Sequence, residues 1–326
     1  MRAVIARLAE IMRRPRVGLV LKLSISATLI ALVCRGLDFA TVAHQLANQS
    51  MLWLAATVLL GLLQIGLLSL RWQQILRGLG SDSGLVSALV VTFMGCFFGA
   101  FLFGPTGGDV ARAVLAPPRS LGRRGVVHSV VFERLASTIG LGLAVAPVVA
   151  LASAVALWRV PLLISLSVAP ATFLMLAIIA CLARLCGGRE GALCAALREF
   201  DQSRRRLLRV WPRFAIAVGL ATIGQLLVAV EAWCLAQSQH LDVPLVDFAI
   251  LMPPVMLLVA LPISAGGWGL REGAIVTALG LVGVGTAPAL LLSIELGLIG
   301  TLVSLPGGVL WLHRVFSRAK PSRSVA

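Results

Sequence analysis

Several stretches of this chain run for about 18 residues or more with almost no charge, long enough to cross a bilayer as helices, and that restricts the fold more than any other feature. Residues 51–70 contain no charged side chain at all. Composition agrees: 59% of the chain is hydrophobic, 13% is charged and the mean hydropathy is +0.98. Soluble domains hold roughly 45–50% apolar and 25% charged residues. A water-soluble chain of 326 residues would need one very large core to hide this much apolar surface. The sequence therefore predicts an all-α polytopic membrane protein.

Six segments have the length and apolarity of full transmembrane helices: 17–34, 51–70, 125–155, 160–183, 212–236 and 288–312. Two further apolar runs are interrupted. The run 85–103 meets Gly104-Pro105-Thr106-Gly107-Gly108, and the run 245–263 meets Pro262 and Gly266-Gly267. A short helical leg is expected after each break, over 109–117 and 268–282. Residues 38–50 suit an interfacial helix, with Asp38 as its cap and Phe39, Val42 and Leu46 on one face. The N-terminal Arg2, Arg7, Arg13, Arg14 and Arg16 precede an apolar run without a small-x-small cleavage site, which predicts an uncleaved first helix.

Loop charge sets the topology. With the N-terminus in the cytoplasm, a fully crossing 85–103 would put Arg119, Arg123, Arg124, the Arg-rich 186–210 connection and the basic C-terminal tail outside. Lys and Arg accumulate on the cytoplasmic side. Treating 85–117 as a hairpin that enters and leaves from the cytoplasm moves all three basic regions inside, together with both termini. The same logic makes 245–282 a hairpin from the external face. The connection 184–211 is then a basic cytoplasmic loop, with room for a surface helix.

The two interrupted segments also match each other. Aligning Gly107-Gly108 with Gly266-Gly267 sets Arg112 opposite Arg271, and Gln64 and Trp72 match Gln225 and Trp233. Glu133 falls near Glu295. The expected organisation is a single membrane domain over 1–326. Repeat one spans about 51–155 and repeat two about 212–316, inverted relative to each other and joined by helix 160–183 and the basic loop. Inverted repeats with broken helices meeting at the midplane are typical of transporters.

Eight charges fall within the apolar segments or the breaks: Asp109, Arg112, Glu133, Arg134, Glu231, Arg271, Glu272 and Glu295. Each costs about 2.5–3.5 kcal/mol at a bilayer centre if left alone. They must pair, neutralise or face a wet cavity, and grouping them around the hairpin tips is the simplest arrangement. There Gly107, Gly108, Gly266 and Gly267 would let backbone N–H groups approach an anion. Arg112 and Arg271 would grip phosphate oxygens as forked donors, and the acids would hold the arginines or carry protons.

Other chemistry finds little support. The net charge of +15 sits in Arg clusters between apolar segments, and there is no nucleic-acid motif. Cys34, Cys96, Cys181, Cys186, Cys194 and Cys234 are scattered without a C-x-x-C pair, and His44, His128, His240 and His313 lie far apart. No metal site, cofactor or catalytic residue is expected. An intramembrane lipid-linked glycosyltransferase is the enzymatic alternative, but D-x-D, H-E-x-x-H and G-x-S-x-G are all missing. A non-transporting accessory subunit of an envelope-biogenesis complex is the third possibility.

Phe103-Gly104-Pro105-Thr106-Gly107-Gly108-Asp109-Val110-Ala111-Arg112, Phe132-Glu133-Arg134-Leu135 and Leu261-Pro262-Ile263-Ser264-Ala265-Gly266-Gly267-Trp268-Gly269-Leu270-Arg271-Glu272-Gly273 together resemble the lysylphosphatidylglycerol synthase transmembrane-region family, a flippase-like group. The resemblance spans nearly the whole chain. It implies a lipid-translocating domain of the bacterial inner membrane, here expected without the soluble aminoacyl-transfer domain. Its implied partners are membrane lipids with an anionic or lipid-linked headgroup, and a homo-oligomer or a separate synthase is compatible with it. This chain has Ala136-Ser137 where a common family pattern carries an acidic residue after the Glu-Arg pair, so fold and broad activity carry over better than substrate.

Overall fold

The computed structural model describes residues 48–117, 121–152, 177–178, 181–182, 191–259 and 268–319. Among these residues the protein is all-α. In chain order the helices are α1 (Met51–Gly78), α2 (Leu85–Phe98), α3 (Gly104–Leu115), α4 (Gly122–Ala152), α5 (Ala192–Arg209), α6 (Trp211–Ser238), α7 (Leu245–Val259), α8 (Leu270–Gly280) and α9 (Thr286–Ala319). A five-residue π segment, Gly99–Phe103, joins α2 to α3. Four helices are long and apolar enough to cross a membrane: Met51–Gly78, Gly122–Ala146, Trp211–Ser238 and Thr286–Ser317. They match four expected crossings and extend most of them. The expected helices 17–34 and 160–183 and most of 38–50 lie outside the described residues, apart from short helical fragments at 177–178 and 181–182.

The helices turn apolar side chains in two directions, as a membrane protein must. Leu59, Leu63, Ile216, Ile223, Leu302 and Val309 face outward. Trp72, Phe132, Phe248, Leu235 and Leu292 are buried between helices. The largest buried cluster joins α6, α7, α8 and α9 through Leu235, Phe248, Ile275 and Leu292. A second joins α1, α4, α5 and α6 through Ile75, Phe132, Leu207 and Ala217.

α1 and α6 form the central antiparallel pair. Ser50 N–H donates to Ser238 O at 3.0 Å at one end. Further along, the Gln64 side chain donates to Gly224 O at 3.1 Å, and Trp53 meets Trp233 edge to face with centroids 5.3 Å apart. Each helix is 28 residues long, and both end in the same cap. Ser81 N–H donates to Leu76 O and Leu241 N–H to Ala236 O, at 3.0 and 2.9 Å. The residue before each donor is left-handed: Gly80 at φ 98° and His240 at φ 57°. This is the Schellman ending, in which a left-handed residue lets the chain close back on the last turn.

α3 runs back along α2. Ala88, Val91 and Ala116 share one buried cluster. A Cβ placed on Gly108 would stand 2.7 Å from Gly95 O, so the two backbones touch there. α9 packs on α2 just as tightly: a Cβ on Gly307 would lie 2.0 Å from Phe93 O, and Phe98 stacks edge to face on Trp311 at 5.4 Å. Small residues that let backbones approach are the usual means of joining helices in lipid.

The connection expected as a basic loop over 184–211 is a helix from Ala192 to Arg209. It buries Leu207 and turns Arg205 outward. Asp201 pairs with Arg204 at i+3 and Arg205 at i+4, both at 2.7 Å, contacts that only helical spacing brings together. Burial pushes the Asp201 carboxyl up, but hydrogen bonds from Arg204 and Arg205 outweigh it and hold it below the usual aspartate value.

Candidate functional site

The glycine pair in the first interrupted segment does not break a helix. The α-helical pattern is interrupted earlier, at Gly99–Phe103, and Gly107 and Gly108 lie inside α3. Pro105 falls in the first turn of that helix, where a missing N–H costs no hydrogen bond. Gly108 serves contact: only hydrogen fits between α3 and Gly95 of α2. Gly108, Asp109 and Arg112 place one side of α3 toward the interior. The second pair, Gly266 and Gly267, lies outside the described residues.

That side of α3 opens on a cavity of about 410 Å³. Gly95, Cys96, Gly99 and Ala100 line it from α2 and the π segment, and Gly108, Asp109 and Arg112 from α3. α1 contributes Leu68 and Arg71, and α4 contributes Glu133 and Arg134. Val259, Trp268 and Arg271 border it from the second interrupted segment, and Leu296, Gly297, Gly300 and Thr301 from α9. Arg112 and Arg271 thus line one cavity, together with Arg71 and Arg134.

Arg112 is held by groups from three other helices and its own. It is 4% exposed. Its Nη2 donates to Glu133 Oε2 at 2.9 Å and to Asp109 Oδ1. Its guanidinium lies over the Trp72 ring, 5.5 Å from the centroid. Its aliphatic stem rests on Gly95, where a Cβ would come within 2.5 Å of Cγ. Trp72 is fixed in turn by its Nε1 donating to Ser129 Oγ at 3.0 Å. Glu133 accepts from Arg71 on its other oxygen. Asp109 uses its second oxygen for Arg134 Nε. Three arginines and two carboxylates from α1, α3 and α4 thus form one chain of ion pairs. Hydrogen bonds to charged groups contribute about 1.5–3 kcal/mol each.

Arg271 has a similar setting. Its guanidinium lies 4.6 Å from the centroid of Trp268. Its Nη2 donates to Glu272 Oε1 at 2.7 Å. Gly297 of α9 lies against it, so close that a Cβ would stand 2.1 Å from Nη2. Glu272 also accepts from the Gly269 N–H at the start of α8 and so satisfies one of the spare donors of that helix end.

Six of the twelve expected residues line the cavity: Gly108, Asp109, Arg112, Glu133, Arg134 and Arg271. Glu272 stands behind Arg271, and Gly107 is buried beside Gly108. Glu231 and Glu295 do not line it. Glu231 is 8% exposed on α6, and its Oε1 makes no hydrogen bond. Glu295 accepts from Gln49 and, at 2.8 Å, from Gln239. These amides lie just before α1 and just after α6, so the acid joins helix ends. Arg71 is the charged cavity residue that sequence reasoning left out. The uncharged run ends at residue 70, yet the helix continues to Gly78 and carries Arg71 to Glu133. Among the described residues, no group of three or more His, Cys, Asp or Glu could hold a metal ion.

Comparison with protein families matches residues 19–308 to the lysylphosphatidylglycerol synthase TM region. The chain belongs to that family. No curated protein matches the chain. All the cavity residues fall within the stretch matched to this lysylphosphatidylglycerol synthase TM region, a flippase-like family of lipid-translocating membrane domains.

The Gly297–Arg271 contact allows a direct check of how this family member builds its cavity. Gly297→Ala is expected to lower stability by about 1–3 kcal/mol, the usual cost of overpacking. In an Arg271→Ala background the same change is expected to cost almost nothing, because the space is then open. Thermal unfolding in detergent of the four proteins in this cycle measures the coupling.

Proposed function

We propose that this protein is a flippase-like transporter of the bacterial inner membrane that passes a phospholipid or polyprenyl-linked headgroup between leaflets through the arginine-lined cavity. The observation that carries this reading is that Arg112 and Arg271, from two separate interrupted segments, line one cavity walled in part by α1, α4 and α9, three of the helices long and apolar enough to cross a membrane. A polar headgroup crossing hydrocarbon needs such a path, and ionisable residues inside membrane proteins face interiors or wet cavities.

Alternating access in this reading comes from two inverted repeats, about 51–155 and 212–316. Several features support them. α1 and α6 have equal length, matched caps and antiparallel packing. Gln64 of α1 meets Gly224 of α6 at the same helix position, as residues beside a two-fold axis do. Each tip arginine stacks on a tryptophan, pairs with a glutamate and rests on a glycine of another helix. The two interrupted segments act in this scheme as re-entrant hairpins from opposite faces, with both termini cytoplasmic and α5 on the cytoplasmic surface.

The test is translocation of fluorescent headgroup-labelled lipids by the purified protein in vesicles, read by quenching from outside. Arg112→Ala and Arg271→Ala are each expected to slow translocation at least about tenfold, since one lost charged contact exceeds the 1.4 kcal/mol that corresponds to a factor of ten. Translocation of no headgroup in a phospholipid and polyprenyl-phosphate panel, or full activity in both variants, would overturn the reading.

A further inference from the structure

The two carboxylates of the cavity are bound in different ways. Glu133 is 1% exposed and both its oxygens are taken, by Arg71 and Arg112. It is a fixed counterion. The Asp109 side chain is 15% exposed and bridges Arg112, on its own helix, to Arg134. The Arg134 side chain is 42% exposed, and ion pairs open to water hold weakly. Asp109 stands three residues from Arg112, so a turn of its side chain alone removes its contacts with both arginines without moving α3.

The donors exceed what Asp109 and Glu133 accept. Arg112 Nη1 and Arg71 Nε are buried and make no hydrogen bond. A buried donor of this kind is costly and points to a missing acceptor. With Glu272 on Arg271, three carboxylates pair with the four arginines of the cavity, three negative charges against four positive ones. A phosphate supplies more oxygens than a carboxylate and up to two negative charges, and guanidinium forks match its geometry.

We infer that the cavity takes a phosphate-bearing, net-anionic headgroup by anion exchange, in which phosphate oxygens replace the Asp109 carboxylate on Arg112 and Arg134. Asp109 is thus a tethered competitor of the ligand, and cationic or zwitterionic headgroups are disfavoured. This deepens the transport reading by naming the substrate class of the same site, but its test requires only binding.

The experiment measures binding to the full chain in neutral detergent with short-chain phosphatidic acid, short-chain phosphatidylcholine and inorganic phosphate. Phosphatidic acid is expected to bind at least tenfold tighter than phosphatidylcholine. Asp109→Asn is expected to tighten phosphatidic acid binding several-fold and leave phosphatidylcholine unchanged, the opposite of what loss of a merely structural residue does. Arg134→Gln, at a half-exposed position, is expected to weaken phosphatidic acid binding about tenfold while the protein stays folded, and it decides the matter if Asp109→Asn does not fold. Unchanged or weaker binding in Asp109→Asn, or unchanged binding in Arg134→Gln, overturns the exchange. Inorganic phosphate binding as tightly as phosphatidic acid overturns the assignment to a lipid. Binding as expected without translocation counts against the transport reading alone. Translocation with no gain of affinity in Asp109→Asn counts against the exchange alone.

Discussion

Glu133→Ala is expected to lower stability by about 3–5 kcal/mol, the range for a buried ion pair that loses one partner. The carboxylate is 1% exposed and stands between Arg71 and Arg112, whose side chains are 13% and 5% exposed. Alanine would leave two guanidiniums side by side with one carboxylate, Asp109, to share with Arg134. Neither arginine can lose its proton, so the charge has no chemical escape. The loss should fall toward the lower end of the range, because helices separated in lipid or detergent find substitute polar partners. Glu133→Gln keeps the shape and one acceptor and should lose less. Thermal unfolding in detergent, or unfolding by titrated sodium dodecyl sulfate, gives both values. A loss below about 1 kcal/mol in Glu133→Ala would mean that the pairs behave as exposed ones do.

Gly307→Leu is expected to separate α9 from α2 and to cost at least the roughly 1–3 kcal/mol of an overpacked core. The obstacle is backbone: the added Cβ would lie 2.0 Å from Phe93 O and 2.4 Å from Phe93 C. A side chain can rotate away from a clash, whereas a helix must move as a whole. The neighbouring Gly308 faces the Phe97 ring, with a Cβ 2.7 Å from Cε2. Gly308→Ala should therefore cost less than Gly307→Ala, since Phe97 has a torsion to spend. A disulfide between cysteines placed on α2 and α9 near this contact reports the separation directly: it should form readily in the parent and slowly in Gly307→Leu.

The all-α membrane class was legible because lipid makes hydropathy a strong signal. Runs such as 51–70 and 212–236 admit few alternatives to helix. The details were harder to see. A π segment has no composition of its own, so Gly99–Phe103 looked like the continuation of an apolar run, and the nearby glycines drew the break toward themselves. Gly108 is a glycine because of Gly95 across the hairpin, and no local pattern reveals a contact between two helices. Arg71 was missed for a related reason: an apolar count ends at the first charge, whereas the helix continues because Glu133 on α4 receives that charge. Glu231 and Glu295 do not line the cavity. Their environments depend on Gln49, Gln239 and the faces of α6 and α9, which the alignment of two motifs does not contain. Arg112 and Arg271 stand out in the sequence because each falls at a fixed distance after a glycine pair, and both line the cavity.

The room for each tip arginine belongs to another helix: Gly95 makes space for Arg112, and Gly297 for Arg271. Inheritance then acts on pairs rather than on single positions. A lineage that gives up one of these arginines releases its glycine from constraint, and one that first enlarges the glycine has already lost the arginine in effect. The order of the two changes is therefore not symmetrical. The guanidinium leaving first opens space and leaves its glutamate short of a partner, whereas a methyl group arriving first has no space to occupy.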